Sequence, residues 1–366
     1  MSTTTTSLQH TSPIPELTQT IGENQLDNRY RSVINDETLT WTTNYRKIRR
    51  LGTGGQGVVY LSERRGTDGF VRPVALKVFS PAPYPDACDY EEDMARVAHI
   101  AARASLIQHD NLVDVHNFFA IDGIRVMALE YLDGFDLSEV LSQGMLDRTR
   151  DCVSPERWDY INRVIITAGS VQPRLKPGVA IQVLRECLAG LAALHREGIV
   201  HGDLKPSNVM LKRTGNAKII DIGSAIDLGR GLVRRMWSPL YAAPEVLEGG
   251  PNSERADLAS LGYILVEMLA GRSPFQGLTT YAELIEAKRK IDRNLPAMLP
   301  AEVSCNEMLL NLCQKLIAPD PARRFSNALA ADLDRKGAAD FHRQLVKSDL
   351  SSEYENDIRV WLEQLP

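Results

Sequence analysis

The chain lacks any pair of cysteines spaced for a metal knuckle or a redox couple. Its five cysteines, Cys88, Cys152, Cys187, Cys305 and Cys313, are scattered, with no CxxC and no histidine at ligand spacing. That distribution argues against a zinc site or a disulfide framework and fits a reducing compartment, so a cytoplasmic location is expected. An excess of basic residues is also missing: 42 Lys and Arg stand against 47 Asp and Glu, a formal net charge of −5. A dedicated nucleic-acid binder needs a basic surface to meet phosphates, so no nucleic-acid partner is expected. Long hydrophobic runs are absent too. The longest strongly apolar helical stretch, about 258–270, is too short to span a bilayer and carries Glu267, so no membrane span is expected. The N-terminus has no basic region followed by an apolar one, as a secretory leader would, and no internal repeat is visible. What remains is 366 residues, 43% hydrophobic and 24% charged, ordinary for a soluble globular chain with a large core.

Composition divides the chain. Residues 1–44 are rich in Thr, Ser, Asn and Gln and poor in large apolar groups. Such a stretch cannot bury enough surface to offset its ordering entropy, so a flexible N-terminal extension is expected. From Tyr45 short β-type runs appear at 45–51, 58–63 and 71–79, separated by glycine- or proline-rich turns. A helix is predicted over 90–107, where Met94, Val97, Ala101 and Ala104 recur at helical spacing. Strands at 113–121 and 124–131 follow, meeting at Asp122-Gly123. Sheet with one helix predicts a small first lobe, 45–132.

Past Asp133-Gly134 the pattern turns helical. Over 179–195, Val183, Leu184, Cys187, Leu188, Leu191 and Leu194 form one stripe, which Gly198 stops. The segment 254–270 is apolar nearly all round, which predicts burial in the middle of a lobe. Helices near 280–290, 306–317 and 327–334 complete a second lobe, 133–336. Within it, the polar stretch 143–177 exceeds what a tight helix–helix link requires and reads as an insertion. The tail, 337–366, is expected to be helical, with an amphipathic segment at 353–365.

Chemistry concentrates in the octet His201-Gly202-Asp203-Leu204-Lys205-Pro206-Ser207-Asn208 and, downstream, in Asp221-Ile222-Gly223. Between them, 209–212 and 217–220 read as a hairpin around Thr214-Gly215-Asn216, presenting both loops at one edge. Two aspartates, a lysine and an asparagine on neighbouring turns suit transfer of a nucleotide's terminal phosphoryl group. That chemistry needs a base for the accepting hydroxyl, a cation for developing charge, and oxygen ligands for magnesium. Upstream, Gly52-Thr53-Gly54-Gly55-Gln56-Gly57 has β-type residues on both sides. The glycines therefore turn a hairpin instead of joining a strand to a helix, as dinucleotide-binding folds do. Bare backbone N–H groups there could approach phosphates. In the strand 74–79, Ala75 and Lys77 share a face, and a lysine among apolar neighbours needs an anionic partner.

Together these motifs resemble those of eukaryotic-type Ser/Thr protein kinases, in a form similar to bacterial members, over about 45–336. The resemblance implies an α+β bilobal fold with a sheet-rich N-lobe and a mostly helical C-lobe. It also implies ATP and Mg2+ as cofactors and proteins as substrates. On this pattern Asp203 would be the base, Lys205 would neutralise the transferring phosphoryl group, and Asn208 and Asp221 would hold the metal. Gly52, Gly54 and Gly57 would cover the phosphates and Lys77 would bind them. Leu51 and Val59 would lie over the base, Ala75 beside it and Met210 beneath it, with Leu129 as gatekeeper. Glu130 and Leu132 would offer hinge backbone hydrogen bonds, and Asp136 would bind the ribose.

The family also pairs its lysine with a helix glutamate. At the corresponding spacing ahead of His109-Asp110-Asn111-Leu112 stands Ile100. Acidic candidates lie upstream at Glu91, Glu92 and Asp93; Glu92 is favoured, the alternative being an acidic first turn drawn by the helix dipole. Gly202 replaces an arginine that clamps an activation-loop phosphate in many relatives. The usual phosphosite position, counted back from Tyr241-Ala242-Ala243-Pro244-Glu245, falls on Arg234, beside Arg235. Activity without loop phosphorylation is therefore expected, Ser224 being the loop's other plausible acceptor. Ile222 replaces a phenylalanine plug. Ser238 would contact Asp203 and Lys205, Glu245 would pair with Arg324, and Asp257 would brace the catalytic loop. Thr18 and Thr20 are expected autophosphorylation sites, which would give a phosphothreonine-binding module a docking point.

Overall fold

The computed structural model describes residues 29, 32–35, 44–230, 238–347 and 354–365. The first lobe is an antiparallel sheet of β1 (Asn44–Gly54), β2 (Gly57–Arg65) and β3 (Val71–Phe79), crossed by helix α1 (Ala87–Ala104), then β4 (Val115–Ile121) and β5 (Ile124–Glu130). Strand order is β1-β2-β3-β5-β4. β3 is the middle strand, and Val74, Ala75 and Leu76 are all buried because both its faces are covered. α1 begins where the Asp86 carboxylate accepts the Asp89 N–H at 2.9 Å. It buries Tyr90, Met94, Val97, Ile100, Ala101 and Ala104. The helix stops at Ala104, not Ile107, because the Ile107 amide turns back to the Ala104 carbonyl.

The second lobe opens with β6 (Gly134–Asp136), α2 (Leu137–Val140), α3 (Gln143–Cys152), α4 (Pro155–Val164) and a ribbon of β7 (Ile166–Thr167) with β8 (Arg174–Leu175). The polar stretch 143–177 is thus largely ordered. Its helices are set by their caps: Ser142 Oγ accepts from Met145 N at 3.2 Å and Ser154 Oγ from Arg157 N at 3.3 Å. α5 (Pro177–Arg196) is, among the described residues, the one helix apolar and long enough to cross a membrane on those criteria alone. Here its apolar surface is answered by protein, with Val179, Leu184, Leu188 and Leu191 fully buried.

Short strands follow: β9 (Ile199–Val200), β10 (Val209–Lys212), β11 (Ala217–Ile219) and β12 (Ile226–Asp227). β10 pairs with β11 and β6, and β12 with β9. α6 (Pro244–Leu247) precedes α7 (Glu254–Ala270), whose residues 256–270 are all buried, as its uniform apolarity predicts. α8 (Tyr281–Met298) runs beyond the expected end at 290 and contains Pro296. Its apolar stripe continues through Ile291 and Leu295, and Gln314 Nε2 reaches the Asp292 carbonyl, which Pro296 cannot bond, at 3.4 Å. α9 (Ala301–Ser304), α10 (Glu307–Leu316) and α11 (Ala328–Leu333) complete the lobe.

The tail folds back as α12 (Ala338–Lys347) and α13 (Tyr354–Leu362). Trp361 is fully buried, its Nε1 donating to Thr149 Oγ1 at 3.1 Å. The Tyr160 hydroxyl donates to Asp357 Oδ1 at 2.7 Å, and Arg213 Nη1 to the Leu365 carbonyl at 2.7 Å. The amphipathic face of the tail therefore closes on α3, α4 and the β10–β11 hairpin.

Candidate active site

β3 delivers Lys77 to the cleft between the lobes, buried on the strand face it shares with Ala75. Its ammonium pairs with Asp221 Oδ1 and donates to Gln56 Oε1 at 2.5 Å. Gln56 in turn donates from Nε2 to Ser224 Oγ at 2.6 Å. The glycine-rich turn can lie this close because Gly57 has no side chain. At its φ of +142°, a Cβ would sit 1.9 Å from the Val78 carbonyl oxygen.

Asp221 adopts a left-handed backbone, φ 67° and ψ 81°, which a non-glycine residue keeps only where its surroundings impose it. Burial would raise its carboxyl pKa. The Lys77 charge, the Lys77 hydrogen bond and the Gly223 amide at 3.0 Å outweigh burial and hold it below the usual carboxylate range.

The octet forms the other half of the site. Asp203 is buried and accepts from Ser238 N at 2.7 Å on Oδ1 and from Lys205 Nζ at 2.7 Å on Oδ2. Lys205 also reaches Ser238 Oγ at 3.1 Å. Asn208, on a 3₁₀ turn, donates Nδ2 to the Asp203 carbonyl at 2.8 Å, which leaves its side-chain oxygen available as an acceptor. The Asn208 carbonyl accepts from Ile220 N at 2.9 Å, tying the residue before Asp221 to the octet. Beneath, buried Asp257 at the start of α7 accepts the N–H groups of His201 at 2.8 Å and Gly202 at 2.9 Å and contacts His195 Nε2 at 2.9 Å. Five candidate residues from three parts of the chain, Lys77, Asp203, Lys205, Asn208 and Asp221, are thus brought together.

At the inner end, Ala75 pairs with Leu129 across β3 and β5 and Met210 with Asp136 across β10 and β6. Ala75, Leu129 and Leu132 are buried; Val59 and Met210 are half-buried and Leu51 is exposed at the rim. The Asp136 carboxylate caps α2, accepting from Glu139 N at 3.0 Å. The Glu130 carboxylate is taken by Lys218 and by Asp114 N at 2.8 Å, and its amide donates to the Asp114 carbonyl at 3.0 Å.

The structure also corrects the pairing expected of Lys77. Glu92 does not meet Lys77: it is exposed, its nearest polar contact being Cys88 Sγ at 3.9 Å. Glu91 is exposed as well, and Asp93 is held by Arg96 Nε at 2.8 Å and the Tyr84 hydroxyl at 2.6 Å. These acidic groups sit near the start of α1, where the dipole favours them, and turn away from the cleft. The carboxylate on Lys77 is that of Asp221.

Other contributors were not anticipated. Arg96, His99 and Arg103 of α1 reach the segment after Asp221. Lys288 is fully buried, donates to the Leu240 carbonyl at 2.8 Å, and lies 4.1 Å and 3.8 Å from the ring centroids of Tyr263 and Phe275. Burial, then the Arg324 guanidinium, pushes its pKa well below the ordinary lysine value. The sequence did carry a signal, since Lys288 falls on the stripe of Leu284, Ile291 and Leu295 in α8. A lysine on an apolar stripe needs a buried acceptor.

A family model described as protein kinase domain matches residues 45–334. The serine/threonine-protein kinase PrkC of Bacillus subtilis is 28% identical over 82% of this chain and 41% of its own length. The serine/threonine-protein kinase PknJ of Mycobacterium tuberculosis is 30% identical over 78% of this chain and 43% of its own. A probable serine/threonine-protein kinase, PknB of Lactococcus lactis, is 26% identical over 80% and 43% respectively. The chain thus spans less than half the length of these curated relatives. With the family model covering most of the chain and the octet, Lys77 and Asp221 assembled as described, the chain belongs to the protein kinase family.

Proposed function

We propose that this chain transfers the γ-phosphoryl group of Mg-ATP to Ser or Thr hydroxyls of protein substrates. The observation that carries the reading is Asp203, held by Lys205 and Ser238 and linked through Asn208 to the Asp221 segment. The names of the relatives support the Ser/Thr class. The donor set suits a hard divalent cation: the Asp221 carboxylate and the free side-chain oxygen of Asn208 are both oxygen ligands. Bound there, magnesium would supply charge neutralisation for the triphosphate. Lys77 would hold the phosphates, the glycine-rich turn would cover them, and Leu51, Val59, Ala75 and Met210 would enclose the base. Glu130 and Leu132 would offer hinge backbone hydrogen bonds and Asp136 would bind the ribose. Asp203 would accept the proton of the attacking hydroxyl as its oxygen bonds to phosphorus and the bond to the β–γ bridging oxygen breaks, releasing ADP. Lys205 would balance charge on the transferring group.

Arg234 and Arg235 lie outside the described residues, as do Thr18, Thr20 and most of the 1–44 extension. Ser224 is buried with its hydroxyl accepting from Gln56, so it is a poor phosphate acceptor. We therefore take the enzyme to be active without loop phosphorylation and to modify its own N-terminal threonines, which a phosphothreonine-binding module would read. Exposed free thiols at Cys88, Cys152 and Cys305 suit a cytoplasmic setting. A phosphatase-treated sample given Mg-ATP and a generic basic protein checks both points. Product should form without a lag, and intact-mass and peptide mapping should find phosphate on Thr18 or Thr20. A lag that ends as phosphate appears on Ser224 would contradict loop independence. Absence of phosphate before residue 44 would dispose of the tail sites.

A further inference from the structure

One face of α1 carries Arg96, His99 and Arg103, all turned toward the segment that follows Asp221. Arg96 Nη1 donates to the Ala225 carbonyl at 2.6 Å and Nη2 to the Gly223 carbonyl at 3.1 Å. Its Nε is fixed by Asp93 at 2.8 Å, and Asp93 in turn by the Tyr84 hydroxyl at 2.6 Å. One and two turns further on, Asp227 Oδ2 receives His99 Nε2 at 3.1 Å and Arg103 Nη1 at 2.8 Å. Arg103 also donates to the Glu197 carbonyl, just ahead of β9, with which β12 pairs. The helix therefore grips both ends of the 223–227 run.

These contacts have a physical consequence for Asp221. Its left-handed backbone is costly for an aspartate and persists only if its neighbours over-determine it. From below, Asn208 anchors Ile220. From above, a guanidinium fork gripping two carbonyls fixes the residues immediately after Asp221, and arginine's planar donor set suits that geometry better than lysine's. No carboxylate of α1 is spent on Lys77, so the helix acts on the metal-ligand segment and not on the phosphate-binding lysine.

We propose that Arg96 is a positioning residue for the metal ligand Asp221, with His99 and Arg103 as a second anchor at Asp227. The inference rests on the kinase reading above and names the part of α1 that serves it. Held this way, the metal-ligand segment is fixed by contacts that run from Tyr84 through α1 to Asp227.

The test compares full-length wild type with Arg96→Met and Arg96→Lys. The measurements are kcat, KM for peptide, magnesium dependence, and binding of a non-hydrolysable ATP analogue with and without Mg2+. Misplacing the metal ligand should lower kcat about 10–100-fold in Arg96→Met and raise the magnesium concentration needed for half-maximal rate. Peptide KM and metal-free nucleotide affinity should stay within about two-fold, because those contacts are elsewhere, and Arg96→Lys should recover part of the loss. Wild-type kcat and magnesium dependence in Arg96→Met would overturn the proposal. So would equal loss of metal-free and metal-dependent nucleotide binding, which indicates general destabilisation. If the wild type transfers no more phosphate than Asp203→Asn, the kinase reading fails. The difference between metal-dependent and metal-free binding still decides the role of Arg96.

Discussion

Asparagine at position 203 is expected to cut phosphate incorporation from labelled Mg-ATP into protein by ~10²–10⁴-fold, the range of a positioned general base. The substitution keeps the size of the side chain and an oxygen for the Ser238 amide, so the loop should keep its shape. It removes the negative charge that Lys205 faces and the capacity to take the proton of a hydroxyl. Nucleotide binding should be nearly unchanged, since Asp203 contacts neither Lys77 nor Asp221. This split separates an enzyme from a nucleotide-binding scaffold, which would label equally as wild type and variant. Equal incorporation by the two proteins would refute catalysis through Asp203.

Methionine at position 324 is expected to destabilise the chain by ~3–5 kcal/mol, the cost of stranding the partner of a buried ion pair. The Arg324 side chain is fully buried and grips Glu245 at both oxygens, 2.6 Å and 2.8 Å. Its remaining donors satisfy the carbonyls of Ala318 at 2.8 Å and Arg255 at 2.9 Å. Removing it leaves a largely buried carboxylate unpaired and takes a donor from three carbonyls, that of Pro319 at 3.3 Å included, and lysine cannot reproduce a five-donor fork. Denaturant unfolding measures the loss; a change under about 1 kcal/mol would place this pair among exposed bridges of little worth.

Much of this was legible in the residues. β3 and α7 were readable end to end, because one is a bounded apolar run and the other is apolar on every side. The octet was readable because its contacts are local: Asp203, Lys205 and Asn208 lie close in sequence, Ser238 meets Asp203 and Lys205, and Asp257 takes the amides of His201 and Gly202. The helices α3 and α4 were not, since serine caps make them and their apolar content is low. Nor was the role of Arg96, because a basic residue on the polar face of a helix looks solvated until a distant carbonyl is brought to it. Glu92 failed for the same reason. Spacing along α1 does not say which way its first turn points, and only tertiary placement showed Asp221 as the partner of Lys77.

The most direct measurement is a crystal structure with Mg2+ and a non-hydrolysable ATP analogue bound. The account predicts the nucleotide in the cleft between the lobes, its phosphates on Lys77 and the metal held by the Asn208 side-chain oxygen and the Asp221 carboxylate. A nucleotide bound elsewhere, or a metal that touches neither Asn208 nor Asp221, would contradict it.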